Sequence, residues 1–236
     1  MKLVFLPGMD GTGHLFSPLL QSLSHFDCEI IALPTAGDQS YLRLSAYVQE
    51  RLPKEDFILI AESFSGPIAA ILSTHCIEYL RGVIFVATFL SVPHKRLLGF
   101  ARRLPLNLLS LKAVSSMPLA PYIMKRFFLG KNAGKELLRS FQETINQIPT
   151  SLIRDRLDTL YRLSYSPENI GLPVAYIQAR YDKLVPAAKL QEFEENFTGL
   201  AVATLDGPHF ILQAKPAESA AFISNFILEL ESDKHL

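Results

Sequence analysis

The chain reads as an α/β fold: a mainly parallel sheet of six strands, doubly wound by helices and interrupted by an inserted helical lobe. Three observations predict it. Six short apolar runs rich in β-branched residues recur along the 236 residues, without polar alternation. Strands buried on both faces look like this. Helical stretches separate the runs, and such alternation places helices on both faces of a parallel sheet. The alternation breaks between Phe89 and Pro173, where apolar residues recur at helical spacing.

KLVFLP (2–7) is the first run. Its apolar stretch is too short for the core of a secretion signal and runs into Pro-Gly, so it reads as a strand. Ser17-Pro18 opens the first helix, with Ser17 as N-cap and Pro18 at the first helical position. EIIALP (29–34) is the second strand, and a helix follows over 41–51. DFILIA (56–61) is the third, with a helix over 67–76, and RGVIFVAT (81–88) is the fourth. Residues 90–165 form the inserted lobe, a lid between core segments 1–89 and 166–236. Within it LLGFARRLPLNLLSL and LIRDRLDTLYRL carry the helical spacing. Phe100, Tyr122, Phe127, Phe128 and Tyr161 read as the lobe's own core. PVAYIQA (173–179) and LAVATLD (200–206) are the last two strands, with helices over 187–196 and 216–231. The spatial strand order expected is 2-1-3-4-5-6.

Hydrophobic residues make up 49% of the chain and charged ones 19%, enough to bury a substantial core. Cys28 and Cys76 form no CxxC pair and read as small buried thiols in a reducing compartment. The longest nearly apolar run, GVIFVATFLSV (82–92), is too short to span a bilayer. The expectation is a cytoplasmic protein with no transmembrane segment, cofactor, metal or nucleic-acid partner.

Net charge is zero, yet residues 94–165 hold 13 basic residues against four acidic ones, a balance of +9, leaving −9 elsewhere. A segment with its own charge sign suggests its own structural lobe. Lys95-Arg96, Arg102-Arg103 and Lys125-Arg126 concentrate this charge in pairs.

Ligands of such sheets gather at the carboxyl ends of the strands. "AESFSG" (61–66) lies at one such end. A nucleophile there must stand on a sharp strand-to-helix turn, which closes only with small residues two before and two after it. Ser63 meets this with Ala61 and Ser65, whereas Ser65 would have Pro67 at that position. The competing reading is a serine cap on the helix that follows.

A serine hydroxyl needs a base, and the base needs an acid to fix its tautomer. "QARYDKLVP" places Asp182 after the fifth strand, and "LDGPHF" places His209 after the sixth. Ser, Asp, His is the chain order for this arrangement. Asp206, three residues before His209, is the rival acid. His14 and His94 are out of order, His25 and His75 lie at helix ends, and His235 is in the tail. An oxyanion hole needs two N–H donors. Phe64 supplies one, and the glycine-rich loop "LPGMDGTGH" after the first strand supplies the other. That loop lacks the spacing and the lysine of a phosphate-binding loop.

Together "LPGMDGTG", "AESFSG", "ARYDKLVP" and "GPHFILQAKP" resemble the α/β-hydrolase superfamily over nearly the whole chain outside 90–165. The resemblance implies an α/β-hydrolase fold with a lid. It implies Ser63, Asp182 and His209 as triad, and the N–H groups of Phe64 and Met9 as oxyanion donors. The chain departs from the family in three places. Pro7-Gly8 stands for the usual His-Gly, which leaves Met9 or Asp10 as second donor. Ala61 and Ser65 stand for the elbow glycines. The family's first two strands have no counterpart.

A serine nucleophile sets the chain apart from the dehalogenase and epoxide hydrolase branches, which use aspartate. Carboxylic ester hydrolysis through an acyl-enzyme is the reading implied. A thioesterase, a triad-using lyase and a silent binding module are the alternatives. The basic lid suggests an acidic partner such as an acyl carrier protein, engaged by Arg102, Arg103, Lys125 and Arg126. An anionic membrane surface is the other partner such a lid could serve. In size and plan the chain is similar to the pimeloyl-carrier-protein methyl ester esterases of biotin synthesis.

Overall fold

The computed structural model describes residues 1–101, 115–165 and 171–232. Strands β1 (Lys2–Leu6), β2 (Cys28–Ile30), β3 (Phe57–Glu62), β4 (Leu80–Val86), β5 (Val174–Ala179) and β6 (Ala201–Leu205) form one sheet. Its order is β2-β1-β3-β4-β5-β6, and every pairing is parallel. This is the order expected from the sequence.

Successive residues of a strand point to opposite faces. Leu3, Phe5, Ile58, Ile60, Ile84 and Val86 pack on one face against α1 (Ser17–Ser22) and the C-terminal helix, Pro216–Ser232. Val4, Leu6, Leu59, Val83, Phe85 and Tyr176 pack on the other against α2 (Tyr41–Gln49), α3 (Gly66–Ser73) and Phe193. All six residues of β3 are buried, so no polar alternation is left in its sequence. Only the edges are wetter: β2 is half-buried, and β6 alternates half-buried with exposed residues.

Between β4 and β5 the chain forms α4 (Lys95–Ala101), α5 (Ala120–Met124), a π-helical turn (Lys125–Leu129), α6 (Lys135–Gln147) and α7 (Thr150–Tyr161). An antiparallel bridge between Ser91 and Ser164 closes the base of this segment. Phe128, Phe141 and Phe210 pack in tilted and edge-on pairs, centroids 5.2–6.1 Å apart, over Leu15, Met124 and Leu129.

Three local expectations change. A 3₁₀ turn over His14–Phe16 already leads into α1, so Ser17 is its first residue and bonds the His14 carbonyl instead of capping. Cys28 is half-buried and Cys76 exposed in the turn after α3, so neither free thiol is a core residue. Phe128 and Tyr161 pack inward, but Tyr122 is 67% and Phe127 42% exposed. The short α5 and the turn after it present one face to the cluster and leave the other to solvent. Arg102, Arg103, Lys112, His235 and the side chain of Phe100 lie outside the described residues. No helix among the described residues is long and apolar enough to cross a membrane.

Candidate active site

β3 ends at Glu62, and the chain turns at once through a 3₁₀ turn (Ser63–Ser65) into α3. Ser63 sits at φ +50°, a left-handed conformation rare for a residue with a Cβ. Such a conformation costs on the order of 1–3 kcal/mol and persists only where neighbours hold it. Three contacts do so. The Thr88 hydroxyl, at the end of β4, donates to the Ser63 carbonyl. Tyr176 fixes Thr88 in turn, donating to its carbonyl at 2.8 Å and accepting its N–H at 3.1 Å. The buried Ser65 hydroxyl donates to the Pro7 carbonyl and ties the turn to the first loop. Pro67 takes the first helical turn, where its missing N–H costs nothing.

Ala61 and Ser65 meet the small-residue demand read from the sequence. The structure adds Gly66. A Cβ there would lie 1.9 Å from the Thr88 hydroxyl, so α3 approaches β4 this closely only with glycine.

His209, after β6, brings Nε2 to 2.8 Å from Ser63 Oγ. Its Nδ1 lies 2.7 Å from Oδ2 of Asp182, after β5. The other Asp182 oxygen accepts the N–H groups of Leu184 at 2.8 Å and Val185 at 2.9 Å, which fixes the carboxylate plane. Burial opposes a charge on His209, but the charge and hydrogen bond of Asp182, with Glu62 adding, raise its pKa above the usual imidazole range. Asp206 turns away and pairs with Arg180 at 3.1 Å on the surface. The histidine loop is also held from the inserted helices, because the Phe210 N–H donates to the Phe128 carbonyl of the π-helical turn at 3.1 Å.

The loop after β1 closes a turn, Gly11 N–H to Gly8 carbonyl at 3.0 Å. The Asp10 carboxylate accepts the N–H and hydroxyl of Thr12 at 2.9 and 2.6 Å. Among the described residues, neither Met9 nor Asp10 donates its N–H to a protein acceptor. The loop itself lies against the Ser63 turn, since a Cβ at Gly8 would be 3.7 Å from that of Ser63.

Besides Gly66, two residues at the site were not legible in the sequence. Arg156, one of the 13 basic residues counted in 94–165, is fully buried. It donates to the Met9 carbonyl at 2.7 Å, the Pro34 carbonyl at 3.0 Å and Gln39 Oε1 at 3.0 Å. Burial lowers its pKa to about 10, with Asp10 opposing. Glu62 is 3% exposed directly before Ser63. A charged residue ending an apolar strand was its signal, whereas Arg156 had none. Lys125 and Arg126 lie half-buried on the turn that reaches the histidine loop. Among the described residues no group of His, Cys, Asp or Glu is placed to hold a metal ion. A cavity of about 550 Å³ between 37–41, Ile71 and α7 has none of the three aligned residues in its wall.

The architecture is the α/β-hydrolase fold. An enol-lactonase from Burkholderia xenovorans LB400 superposes with a TM-score of 0.82 at 14% identity, over 96% of this chain and 91% of that one. An esterase from Exiguobacterium antarcticum gives 0.78 at 12%, over 96% and 91%. MenH from S. aureus gives 0.74 at 13%, over 98% and 94%. At such identities the likeness is one of fold. No protein-family model and no curated protein matches the sequence.

Proposed function

We propose that the chain is a serine hydrolase of carboxylic esters. The observation that carries this reading is the line from Ser63 Oγ through His209 to Asp182, set on a strained turn at the carboxyl end of β3. His209 Nε2 takes the hydroxyl proton as Ser63 Oγ bonds to the ester carbon. The carbonyl oxygen becomes an oxyanion between the N–H of Phe64 and that of Met9. The alcohol leaves with the proton from His209, and water then cleaves the acyl-enzyme by the same steps. The neighbours named as an esterase and an enol-lactonase support this class of substrate.

The finer reading is an ester delivered on an acidic acyl carrier protein, as in a pimeloyl-carrier-protein methyl ester esterase of the cytoplasm. The inserted helices are then a lid that engages the carrier through Lys125 and Arg126; Arg102 and Arg103, the other pair of this reading, lie outside the described residues. The turn carrying Lys125 and Arg126 is bonded to the residue beside His209, which supports docking close to Ser63. Complementary charge speeds such an encounter and sets its orientation.

A fluorophosphonate probe and a series of p-nitrophenyl esters test the first reading; a folded chain that neither labels on Ser63 nor turns over is a binding module. Carrier delivery predicts a kcat/KM advantage of a carrier-bound acyl methyl ester over the free ester that shrinks with salt. Equal efficiency on both, unchanged by Lys125→Ala with Arg126→Ala, leaves a general esterase.

A further inference from the structure

β3 buries five apolar side chains and then a carboxyl. Glu62 Oε2 accepts Gln213 Nε2 at 3.2 Å, while Oε1 has no partner among the described residues, and neither does Gln213 Oε1. Buried carboxylates are normally paired with a cation or several donors. Here the described groups facing Glu62 are His209 after β6, Asp10 in the first loop and Asp182 after β5, with the uncharged Gln213 from the short helix Ile211–Ala214. Two of the three charged neighbours are acids. A Cβ on Gly8 would lie 3.8 Å from Glu62 Oε2, 3.8 Å from Asp10 Oδ1 and 3.7 Å from Ser63 Cβ. The carboxyl therefore lies directly under the loop that offers the second oxyanion donor.

We propose that Glu62 works as a neutral acid beneath the oxyanion loop, and that its ionisation switches the site down. This rests on the esterase reading above. Protonated, Glu62 adds no charge to a site that already holds Asp182 and must accept an oxyanion. Ionised, it opposes the negative charge forming on the ester carbonyl oxygen a few ångströms away, in surroundings that screen it poorly. It also holds a proton on His209, which then serves less well as a base. Burial, with Asp10 and Asp182 adding and His209 and the Gln213 bond opposing, raises its pKa to about 8. The neutral form therefore dominates at pH 7. Glu62 touches no reacting atom in this scheme and acts through the field at the site, as a positioning residue does through geometry.

The test is the pH profile of kcat with a phenyl ester, beside the rate of fluorophosphonate labelling, from pH 5.5 to 9.5. The wild-type enzyme is expected to lose at least fivefold in kcat above pH 8. Glu62→Gln, nearly the same shape as the protonated acid, keeps activity within about threefold at pH 7 and lacks the alkaline fall. A wild-type profile flat to pH 9.5, a Glu62→Gln variant with the same fall, or a folded variant inactive at pH 7 overturns the proposal. Gln213→Met covers the case in which Glu62→Gln does not fold. It removes a bond that favours the ionised form, so the alkaline midpoint must move up, and an unmoved midpoint also overturns it. A wild-type protein that neither labels nor turns over loses the esterase reading itself. One that labels at pH 7 but shows no alkaline fall loses only the role of Glu62.

Discussion

Arg156 Nη1 donates to the Met9 carbonyl oxygen at 2.7 Å. The contact spans from α7 in the inserted segment to the loop after β1, which lies beside Ser63. The Met9 carbonyl and the Asp10 N–H belong to one peptide, so this bond fixes the direction in which that amide points. Gly11, at φ +74°, packs against the same guanidinium, and a Cβ there would lie 2.3 Å from it. Only a residue without a side chain lets the loop lie down on Arg156.

Removing Arg156 should damage stability and turnover together. Arg156→Met leaves two carbonyls and the Gln39 oxygen without a donor. Each lost charge-assisted bond is worth about 1.5–3 kcal/mol, and the losses overlap, so about 3–5 kcal/mol of stability should go. At about 2–4 °C per kcal/mol, Tm falls by roughly 10 °C. If the Asp10 N–H, which shares that peptide, rather than the Met9 N–H is the second oxyanion donor, kcat should drop on the order of 10²-fold below that Tm, with KM changing far less. Arg156→Lys should recover part of both. Unchanged kcat in a destabilised Arg156→Met would make the residue structural only.

The turn at Ser63 sets stability against activity. Ser63→Ala should lower kcat by on the order of 10⁶. Ser63→Gly should be as inactive, yet more stable than Ser63→Ala by about 1 kcal/mol, because glycine takes φ +50° without strain. Urea unfolding of the two variants, with burst titration, checks both. Equal stabilities would mean that the turn holds no strain.

The two aspartates near His209 should separate cleanly. Asp182→Asn presents an N–H or the wrong tautomer partner to Nδ1, for a loss of about 10⁴ in kcat. Asp206→Asn breaks only an exposed pair with Arg180, worth about 0–1 kcal/mol, and should leave kcat within twofold. The reverse ranking would move the acid to Asp206.

The sheet was legible because burial on both faces writes itself into sequence: β1, β3, β4 and β5 carry apolar residues at both parities. The order Ser63, Asp182, His209 was legible because each follows a recognisable strand, and strand ends share one edge of a parallel sheet. What stayed hidden depends on contacts between distant segments. Gly66 is required by Thr88, 22 residues on, and nothing in "SGPIAA" points there. Arg156 stands among other arginines at helical spacing, and only the packed loop shows that it is enclosed. Because Arg156 is enclosed, the outward charge of the insert is smaller than its raw balance.

Glu62 makes a further prediction, on stability, that needs no substrate. Its pKa stands at about 8 in the folded chain, against an ordinary value of 4.5, chiefly through burial. Between those two values the folded chain keeps a proton that the unfolded chain has lost. Folding stability must therefore fall as pH rises across that window, by up to about 1.4 kcal/mol per unit, and level off above pH 8. His209, whose pKa is raised, also loses stabilisation as pH rises, but it is present in both proteins compared and largely cancels. The difference between Glu62→Gln and wild type isolates the carboxyl. Urea midpoints at pH 5, 6.5 and 8 should show the variant gaining steadily on wild type, by a few kcal/mol over the range. A difference that stays constant with pH would mean that Glu62 titrates as an ordinary carboxylate, charged at neutral pH despite its burial.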